Sequence, residues 1–303
     1  MHKVQVWNLG DAVIDLLPED NGLLKMCPGG APANVAVALA RLGINSGFIG
    51  RVGNDPMGKM VSATLADEGV DISSLSFDQQ QRTSTVLVSL DASGEREFTF
   101  LVQPSADQFL STEQLPAFQA EQWLQLSSIA LAAPRCRETA IEAAKRCRTA
   151  GGWVFFDLNL RAMLWSSPEQ MRQQIEAFLP LCDLVKFSEE EALWLSNCEQ
   201  IEQAVEYLQE QLQVPFILSL GELGSELVYA GKIQRVVAEP VAKVVDTTGA
   251  GDAFVGGVLA YLSQFSQWQD QALLLEALAR GNKSGGLAVG EKGAMSALPY
   301  IHR

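Results

Sequence analysis

The chain has 303 residues, of which 48% are hydrophobic, and its 36 acidic side chains outnumber the 22 basic ones to give a net charge of −14. This composition excludes a disordered chain, and the charge argues against nucleic acid or an anionic membrane as a partner. The two histidines, His2 and His302, stand at opposite ends of the sequence, which argues against a Ser-His-Asp hydrolase or a histidine-ligated metal centre.

Cysteine usage and hydropathy indicate the compartment. The five cysteines are odd in number and irregularly spaced, which is typical of a reduced, cytoplasmic protein. No apolar run approaches the roughly 18 residues of a membrane span, and the polar N-terminus lacks the core of a signal peptide. We therefore predict a cytoplasmic protein without a membrane partner.

The first part of the chain alternates between strands and helices. A strand over 4–9 ends at Gly10, and a turn over 28–32 leads into a helix over 33–42 that stops at Gly43. A second strand covers 48–53, and Pro56 starts a helix that ends near Gly69. Further on, 83–90 and 96–102 alternate between polar and apolar residues around 91–95, which predicts a hairpin in an antiparallel sheet with one wet face.

The alternation then resumes. The predicted helices are 136–149, 250–265 and 271–289, and the predicted strands are 153–156, 184–187, 216–220 and 242–245, with a second hairpin over 226–230 and 233–238. Short apolar strands between helices indicate a doubly wound, mostly parallel α/β sheet. Without a linker, we expect one domain over 1–303, with a small β-sheet lid formed from about 12–28 and 82–103.

One segment looks like a nucleotide-binding loop but departs from the pattern. Residues 53–60 match a Walker P-loop until the last position, where Met60 replaces the magnesium-binding Ser or Thr. Pro56 also removes a backbone N–H that a phosphate cradle would use. We therefore interpret this segment as a structural turn. The sequence contains no G-x-S-x-G elbow, and no G-x-G-x-x-G follows a predicted strand.

The segment 246–257 is the strongest candidate for chemistry. Gly249, Ala250 and Gly251 are small residues at a predicted helix start, where bare N–H groups and the helix dipole favour an anion. Asp252 follows in the first turn and could take a proton from a hydroxyl beside a bound phosphoryl group. A helix-start Asp with glycines for packing is the alternative.

Three further segments could contact a ligand. Paired glycines in 29–34 permit close approach to the backbone, and Asn34 offers both a donor and an acceptor, although a plain turn explains them equally well. Asp11 and Asp15 follow the first strand; Asp15 could accept bonds from sugar hydroxyls, and Asp11 is interpreted as a surface residue. Arg161 could either hold phosphate oxygens or pair with a local Asp.

Together these segments resemble the ribokinase-type (PfkB) carbohydrate kinase family over nearly the whole chain, from Gly10 to Pro299. The diagnostic pair is 29–36 and 246–257, which occur in this order and about 210 residues apart. Within the family, segments 10–18, 27–34, 157–161 and 292–299 look like those of bacterial fructokinases. The resemblance implies a ribokinase-like fold and an ATP-dependent kinase that converts D-fructose to D-fructose 6-phosphate.

The resemblance also implies residue roles. Asp252 is the implied general base, with the backbone of Gly249, Ala250 and Gly251 as the anion hole and Arg161 against the transferred phosphate. The implied sugar contacts are Asp15, Gly30, Asn34, Phe100 and Asp252. The implied nucleotide contacts are Ser219, Gly221, Gly224, Gly249, Gly251 and Asn282, together with Glu191 for magnesium. The implied monovalent-cation loop, for potassium in relatives, contains Asp246, Thr248, Ala288, Glu291 and Gly293.

Two positions depart from the family pattern, and several functions remain open. Ser188 replaces the Asn of the N-x-x-E motif, and Gly290-Glu291 alters the cation loop. Kinases of aminoimidazole riboside, ribose, other nucleosides or 2-keto-3-deoxygluconate are alternatives; riboside kinases tend to carry Tyr where this chain has Phe100. A regulator that binds sugar without catalysis is a further alternative, but the retained Asp252 and Arg161 argue against it. Apolar strands in the lid hairpin suggest a homodimer.

Overall fold

The computed structural model describes residues 3–19, 22–90 and 96–300. Within these ranges, nine strands form the main sheet: β1 (Val6–Leu9), β4 (Ser46–Gly53), β5 (Asp71–Asp78), β8 (Trp123–Ser127), β9 (Trp153–Asp157), β10 (Leu184–Ser188), β11 (Phe216–Ser219), β12 (Ser225–Tyr229) and β13 (Lys232–Val236). Their order is β13-β12-β11-β10-β9-β8-β1-β4-β5. All neighbours are parallel except at the β11–β12 and β12–β13 pairs. The mostly parallel α/β sheet is confirmed.

The helices cover both faces of this sheet. They are α1 (Ala31–Arg41), α2 (Pro56–Asp67), α3 (Pro134–Thr149), α4 (Pro168–Phe178), α5 (Glu189–Ser196), α6 (Ile201–Gln211), α7 (Ala250–Leu262) and α8 (Gln271–Ala288). Val154 and Phe156 pack in one core cluster with residues of α3 to α6, whereas Phe155 packs on the opposite face with residues of α1, α7 and α8. Burial on both faces explains why this strand is apolar throughout.

A second, four-stranded sheet forms the predicted lid. Its strands are β2 (Val13–Pro18), β3 (Leu24–Gly29), β6 (Thr85–Leu90) and β7 (Arg96–Phe100), in the order β3-β2-β6-β7. The β2–β6 pair is parallel, and the other two pairs are antiparallel. Val86 pairs with both Asp15 and Phe100, so these three residues form a row across the sheet. The turn predicted over 91–95 lies outside the described residues.

Two local predictions are wrong. The segment 242–245 is irregular rather than a strand: Val244 and Val245 are 59% and 49% exposed, and the Val245 N–H donates to the Val289 carbonyl at 2.8 Å. Its β-branched residues favour a strand, but no strand within the described ranges pairs with them. The predicted turn over 28–32 is also wrong, because β3 extends to Gly29 and α1 begins at Ala31, which leaves only Gly30 between them.

Two strands of the main sheet had no clear signal in the sequence. Most residues of β5 are polar, and β8 carries the buried Gln125 between its leucines, which interrupts the apolar run.

None of the helices in the described ranges combines the length and apolar character that crossing a lipid bilayer requires. All five cysteines are free thiols.

Candidate active site

The candidate site lies at the carboxyl ends of the parallel strands, where α/β sheets bind ligands. Asp11 follows β1, Arg161 follows β9, Glu191 follows β10 and Gly221 follows β11. At the start of α7, Asp252 is close enough to Arg161 to be affected by its charge, and it accepts a hydrogen bond from a side chain of α1. The topology therefore gathers segments that are far apart in sequence.

Close packing of α1 against α7 brings together Asn34 and Asp252. The Asn34 amide Nδ2 donates to Asp252 Oδ2 at 2.8 Å, across 218 residues of sequence. A Cβ added at Gly256 in α7 would lie 2.5 Å from the Cβ of Ala38 in α1, so only a glycine permits this approach. The small residues of the two segments thus place an amide donor against the candidate base.

The start of α7 exposes backbone donors, as the sequence predicts. Gly249 precedes the helix with φ of 80°, and a Cβ there would lie 2.9 Å from the Cα of Ala294, so this position requires glycine. Among the described residues, the N–H of Gly251 has no hydrogen-bond partner, and a Cβ added at Gly251 would meet no atom within 4 Å. An anion can therefore approach this N-terminus without a steric barrier.

The carboxylate of Asp252 has the properties of a base that works near neutral pH. It is 9% exposed, and burial raises its pKa to about 7. The hydrogen bond from Asn34 lowers the pKa, Asp157 raises it, and Arg161 and Lys186 lower it again. A carboxylate with this pKa is mostly ionised above neutrality and still accepts a proton readily.

A buried ion pair beside Asp252 was not predicted from the sequence. Lys186 Nζ lies 2.8 Å from Asp157 Oδ1, and both side chains are buried. The pair forms because β10 and β9 place Lys186 and Asp157 at partner positions. The only signal in the sequence was a lysine inside an otherwise apolar strand. Asp157 and Glu191, together with the hydrogen bond from Lys186 to Asp157, outweigh burial and raise the pKa of Lys186, so its ammonium stays charged.

Arg161 lies in the loop after β9 and Glu191 in the first turn of α5, at the same edge of the sheet. The Glu191 carboxylate accepts hydrogen bonds from the N–H of Ser188 at 2.8 Å and from that of Leu160 at 2.9 Å. Ser188 in turn caps α5, accepting from the Glu191 N–H at 3.2 Å. The substituted N-x-x-E motif therefore fixes the loop that carries Arg161. The Arg161 guanidinium donates to the Leu160 carbonyl at 2.8 Å.

A large cavity adjoins the start of α7. It measures about 790 Å³, and its lining includes the predicted nucleotide contacts Ser219, Gly221, Gly224, Gly251 and Asn282 but neither Gly249 nor Glu191. Phe254 and Val244 supply apolar wall, and Gly251 and Lys186 lie at its polar end. An apolar compartment that leads to a helix N-terminus and an ammonium group suits a nucleoside with a phosphate chain.

Asp246 ties together the two halves of the predicted cation loop. Its Oδ1 accepts from the N–H of Thr248 at 3.0 Å, and its Oδ2 accepts from that of Gly293 at 2.7 Å. The Ala288 carbonyl accepts from the N–H of Glu291 at 3.4 Å in the same turn region. The buried Asp246 carboxylate thus holds the two segments together, and it is an oxygen ligand of the kind that hard cations prefer.

A separate, smaller cavity measures about 300 Å³, and Phe100 is the one predicted sugar contact among its described lining residues, which also include Asp11. Gly30 has φ of 101°, and a Cβ there would lie 2.6 Å from the Asp11 carbonyl oxygen. Asp11 is only 8% exposed, so its interpretation as a surface residue is wrong. Asp15 adjoins the glycine pair, since a Cβ at Gly29 would meet its Oδ2 at 2.5 Å.

The segment that resembles a P-loop binds no phosphate in this geometry. The Asp55 carboxylate occupies the turn and accepts from the N–H of Gly58 at 2.8 Å, and it also accepts from the Thr83 N–H at 2.9 Å. A Cβ at Gly58 would lie 2.1 Å from the Gly53 carbonyl oxygen. This turn is closed by its own side chains, in keeping with the structural interpretation.

Comparison with known proteins agrees with these features. Residues 9–301 match the family described as pfkB family carbohydrate kinase. A fructokinase of Klebsiella pneumoniae is 48% identical, with 98% of this chain and 96% of the relative covered.

Two solved structures are similar over almost the whole chain. A fructokinase double mutant from Vibrio cholerae O395, bound to fructose, ADP and potassium, is 46% identical with a TM-score of 0.93, covering 98% of this chain and 95% of that one. An aminoimidazole riboside kinase from Salmonella enterica, complexed with its riboside and an ATP analogue, is 41% identical with a TM-score of 0.91, covering 97% and 96%.

Proposed function

Because the chain belongs to the pfkB family of carbohydrate kinases, we propose that it is a fructokinase, which transfers the γ-phosphoryl group of ATP to the primary hydroxyl of D-fructose and gives D-fructose 6-phosphate and ADP. The observation that carries this proposal is the buried pair of Asp252 and Asn34 at the open start of α7. A base, an amide donor and free backbone donors meet there, beside one large cavity and near a second, smaller one.

On the acceptor side, Asp252 takes the proton of the attacking hydroxyl, and Asn34 positions the carboxylate relative to the sugar. Asp15 and the backbone at Gly30 bind the sugar, and Phe100 covers it when the lid closes. Asp15 and Phe100 occupy one row of the lid sheet, so both can move with it. Closure excludes water, which would otherwise accept the phosphoryl group.

On the nucleotide side, Ser219, Gly221, Gly224 and Asn282 line the compartment for the nucleoside. The backbone of Gly249, Ala250 and Gly251 receives the phosphoryl group, and Arg161 offsets the charge that develops on it. Magnesium, when bound with ATP, supplies positive charge to the phosphate chain, and Glu191 lies in the motif that relatives use around this ion. Glu191 orders the loop of Arg161 through the Leu160 N–H.

The loop of Asp246, Thr248, Ala288, Glu291 and Gly293 takes a monovalent cation, which we assign as potassium. Asp246 joins the turn before α7 to the loop at Gly293. A cation beside Asp246 would fix the start of α7 and therefore the direction in which its N–H groups point. The Vibrio cholerae structure contains potassium, which supports this assignment.

Identification of the products tests the proposal. The purified chain is incubated with D-fructose, ATP, magnesium and potassium salts, and the mixture is followed by ³¹P and ¹³C NMR. We expect ADP and a phosphomonoester on C6 of fructose, formed in equal amounts. Consumption of ATP without a sugar ester, or an ester on C1, would contradict the proposed reaction.

The raised pKa of Asp252 predicts a pH dependence. Because the base must be ionised, log kcat/KM is expected to rise with unit slope as pH increases up to about 7, and then to level off. Initial rates of ADP release between acidic and mildly alkaline buffers would give this profile. A profile that is flat from pH 5 to 8 would contradict a base with the burial of Asp252.

An aminoimidazole riboside kinase is the second candidate, because such an enzyme of Salmonella typhimurium is 43% identical over 98% of this chain. Both enzymes would use the same base and anion site. Phe100 favours the fructokinase, since it presents an apolar ring where riboside kinases tend to carry Tyr.

We also propose that the chain works as a single domain with its lid, in the cytoplasm, and as a homodimer. The five free thiols fit a reducing compartment. The lid exposes Leu24, Met26 and the adjacent Leu101, which are 49%, 48% and 53% exposed, and these side chains could meet a second copy. A sedimentation mass equal to one chain would contradict the dimer.

A further inference from the structure

One oxygen of the Asp11 carboxylate is buried and lacks a hydrogen-bond donor in the described part of the chain. The residue is 8% exposed, and its Oδ1 has no hydrogen-bond donor among the described residues. A buried oxygen left in this state costs free energy, so a structure rarely keeps one unless a ligand or water completes it. Asp11 also lines the cavity of about 300 Å³ that Phe100 borders, which places the unpaired group at an open volume.

A second carboxylate lines the same cavity. Asp107 comes from a short helical turn after the lid hairpin, and its Oδ1 is likewise buried with no donor in the described part of the chain. Asp107 raises the pKa of Asp11, although burial is the larger cause, so the two groups are close enough to interact. Two carboxylate oxygens that lack a hydrogen-bond donor thus belong to residues that line the same cavity.

The rest of the cavity is suited to an uncharged, hydroxylated molecule. Ser84 and Gln108 add polar side chains, whereas Phe100, Ile129 and Pro134 form apolar surface. A sugar has this combination of hydroxyl groups and apolar ring faces. Burial raises the pKa of Asp11 and of Asp252, and the charge of the Arg161 guanidinium lowers both.

We propose that Asp11 and Asp107 form an acceptor subsite that accepts hydrogen bonds from hydroxyl groups of an uncharged sugar and repels acceptors that carry a negative charge. This inference rests on the proposed function, because it assumes that the acceptor reaches the cavity from Asp252. The subsite would hold the part of the sugar away from the hydroxyl that is phosphorylated. It would therefore select D-fructose over a sugar acid.

Asp11→Asn and Asp107→Asn test the subsite, because each removes the charge and keeps the shape. For each variant, kcat/KM is measured with D-fructose, and the anionic 2-keto-3-deoxygluconate is titrated as a competitive inhibitor. We expect Asp11→Asn to lower kcat/KM for fructose at least tenfold and to strengthen inhibition by the sugar acid at least threefold. Asp107→Asn should shift both values in the same directions by less.

Asp67→Asn is the matched control, since it removes one negative charge from the exposed end of α2, and it should change neither value. The subsite would be overturned if a variant weakened the use of fructose and the inhibition by the sugar acid by the same factor. It would also be overturned if both variants changed kcat/KM and the inhibition by less than threefold. Asp107→Asn decides the result if Asp11→Asn does not fold.

Binding of fructose is also measured by calorimetry. If the wild-type chain binds fructose but transfers no phosphoryl group, the proposed function fails, and the loss of binding in Asp11→Asn still decides the subsite.

Discussion

Asp252→Asn is expected to lower turnover by about 10²- to 10⁴-fold while leaving fructose binding largely unchanged, because the amide cannot take the proton of the attacking hydroxyl. The asparagine oxygen can still accept the hydrogen bond that Asn34 donates, so the local geometry is kept. The measurement is kcat from ADP release, together with the fructose Kd from calorimetry.

Asp270→Asn is the matched control for this variant. Asp270 is also an aspartate at a helix start, and its carboxylate caps α8 by accepting from the Ala272 N–H at 2.8 Å. Asparagine caps a helix about as well as aspartate, so kcat should not change. Turnover of Asp252→Asn within tenfold of the wild type would show that another group is the base.

Lys186→Met is expected to lower the free energy of unfolding by about 3–5 kcal/mol, because it leaves the carboxylate of Asp157 buried without its partner. Urea unfolding followed by tryptophan fluorescence measures this loss. Burial raises the pKa of Asp157. The folded state therefore binds a proton at Asp157 more readily than the unfolded state does, and the loss should be smaller at acidic pH, where that carboxyl is neutral.

Two comparisons distinguish the buried pair from a general effect of losing a lysine. In the double variant with Asp157→Asn, most of the lost stability should return, because no unpaired charge remains in the core. Arg146→Met removes an exposed partner of Glu142, and it should cost at most about 0.5 kcal/mol. A loss below about 1 kcal/mol in Lys186→Met would contradict the buried pair.

The sequence predicted the parts of this site that depend on local pattern. Glycines around Asp252 indicated a helix start with free N–H groups, and the alternation of apolar strands with helices predicted the layered sheet. The lid was predicted from the polar and apolar alternation of its hairpin. Residue type and position make Asn34 and Asp15 candidate ligand contacts, whereas the nucleotide contacts come from the family resemblance alone, since no local pattern shows what a turn faces.

The remaining features depend on contacts between distant segments. Lys186 meets Asp157 through the register of two neighbouring strands, which a single strand does not reveal. Asp11 is buried beside Gly30, where an added Cβ would lie 2.6 Å from the Asp11 carbonyl oxygen, and its place after the first strand does not reveal this packing. The strand predicted over 242–245 is wrong because β-branched residues form a strand only beside a partner, and none of the described strands pairs with this segment.

We propose that this base and anion site serve fructose. The most direct test compares kcat/KM for D-fructose, D-ribose, aminoimidazole riboside and 2-keto-3-deoxygluconate, with ADP release followed at saturating ATP, magnesium and potassium. We predict the highest kcat/KM for D-fructose. A higher value for the riboside would contradict the assigned acceptor and leave the base in place, and no ADP release with any acceptor would contradict the kinase itself.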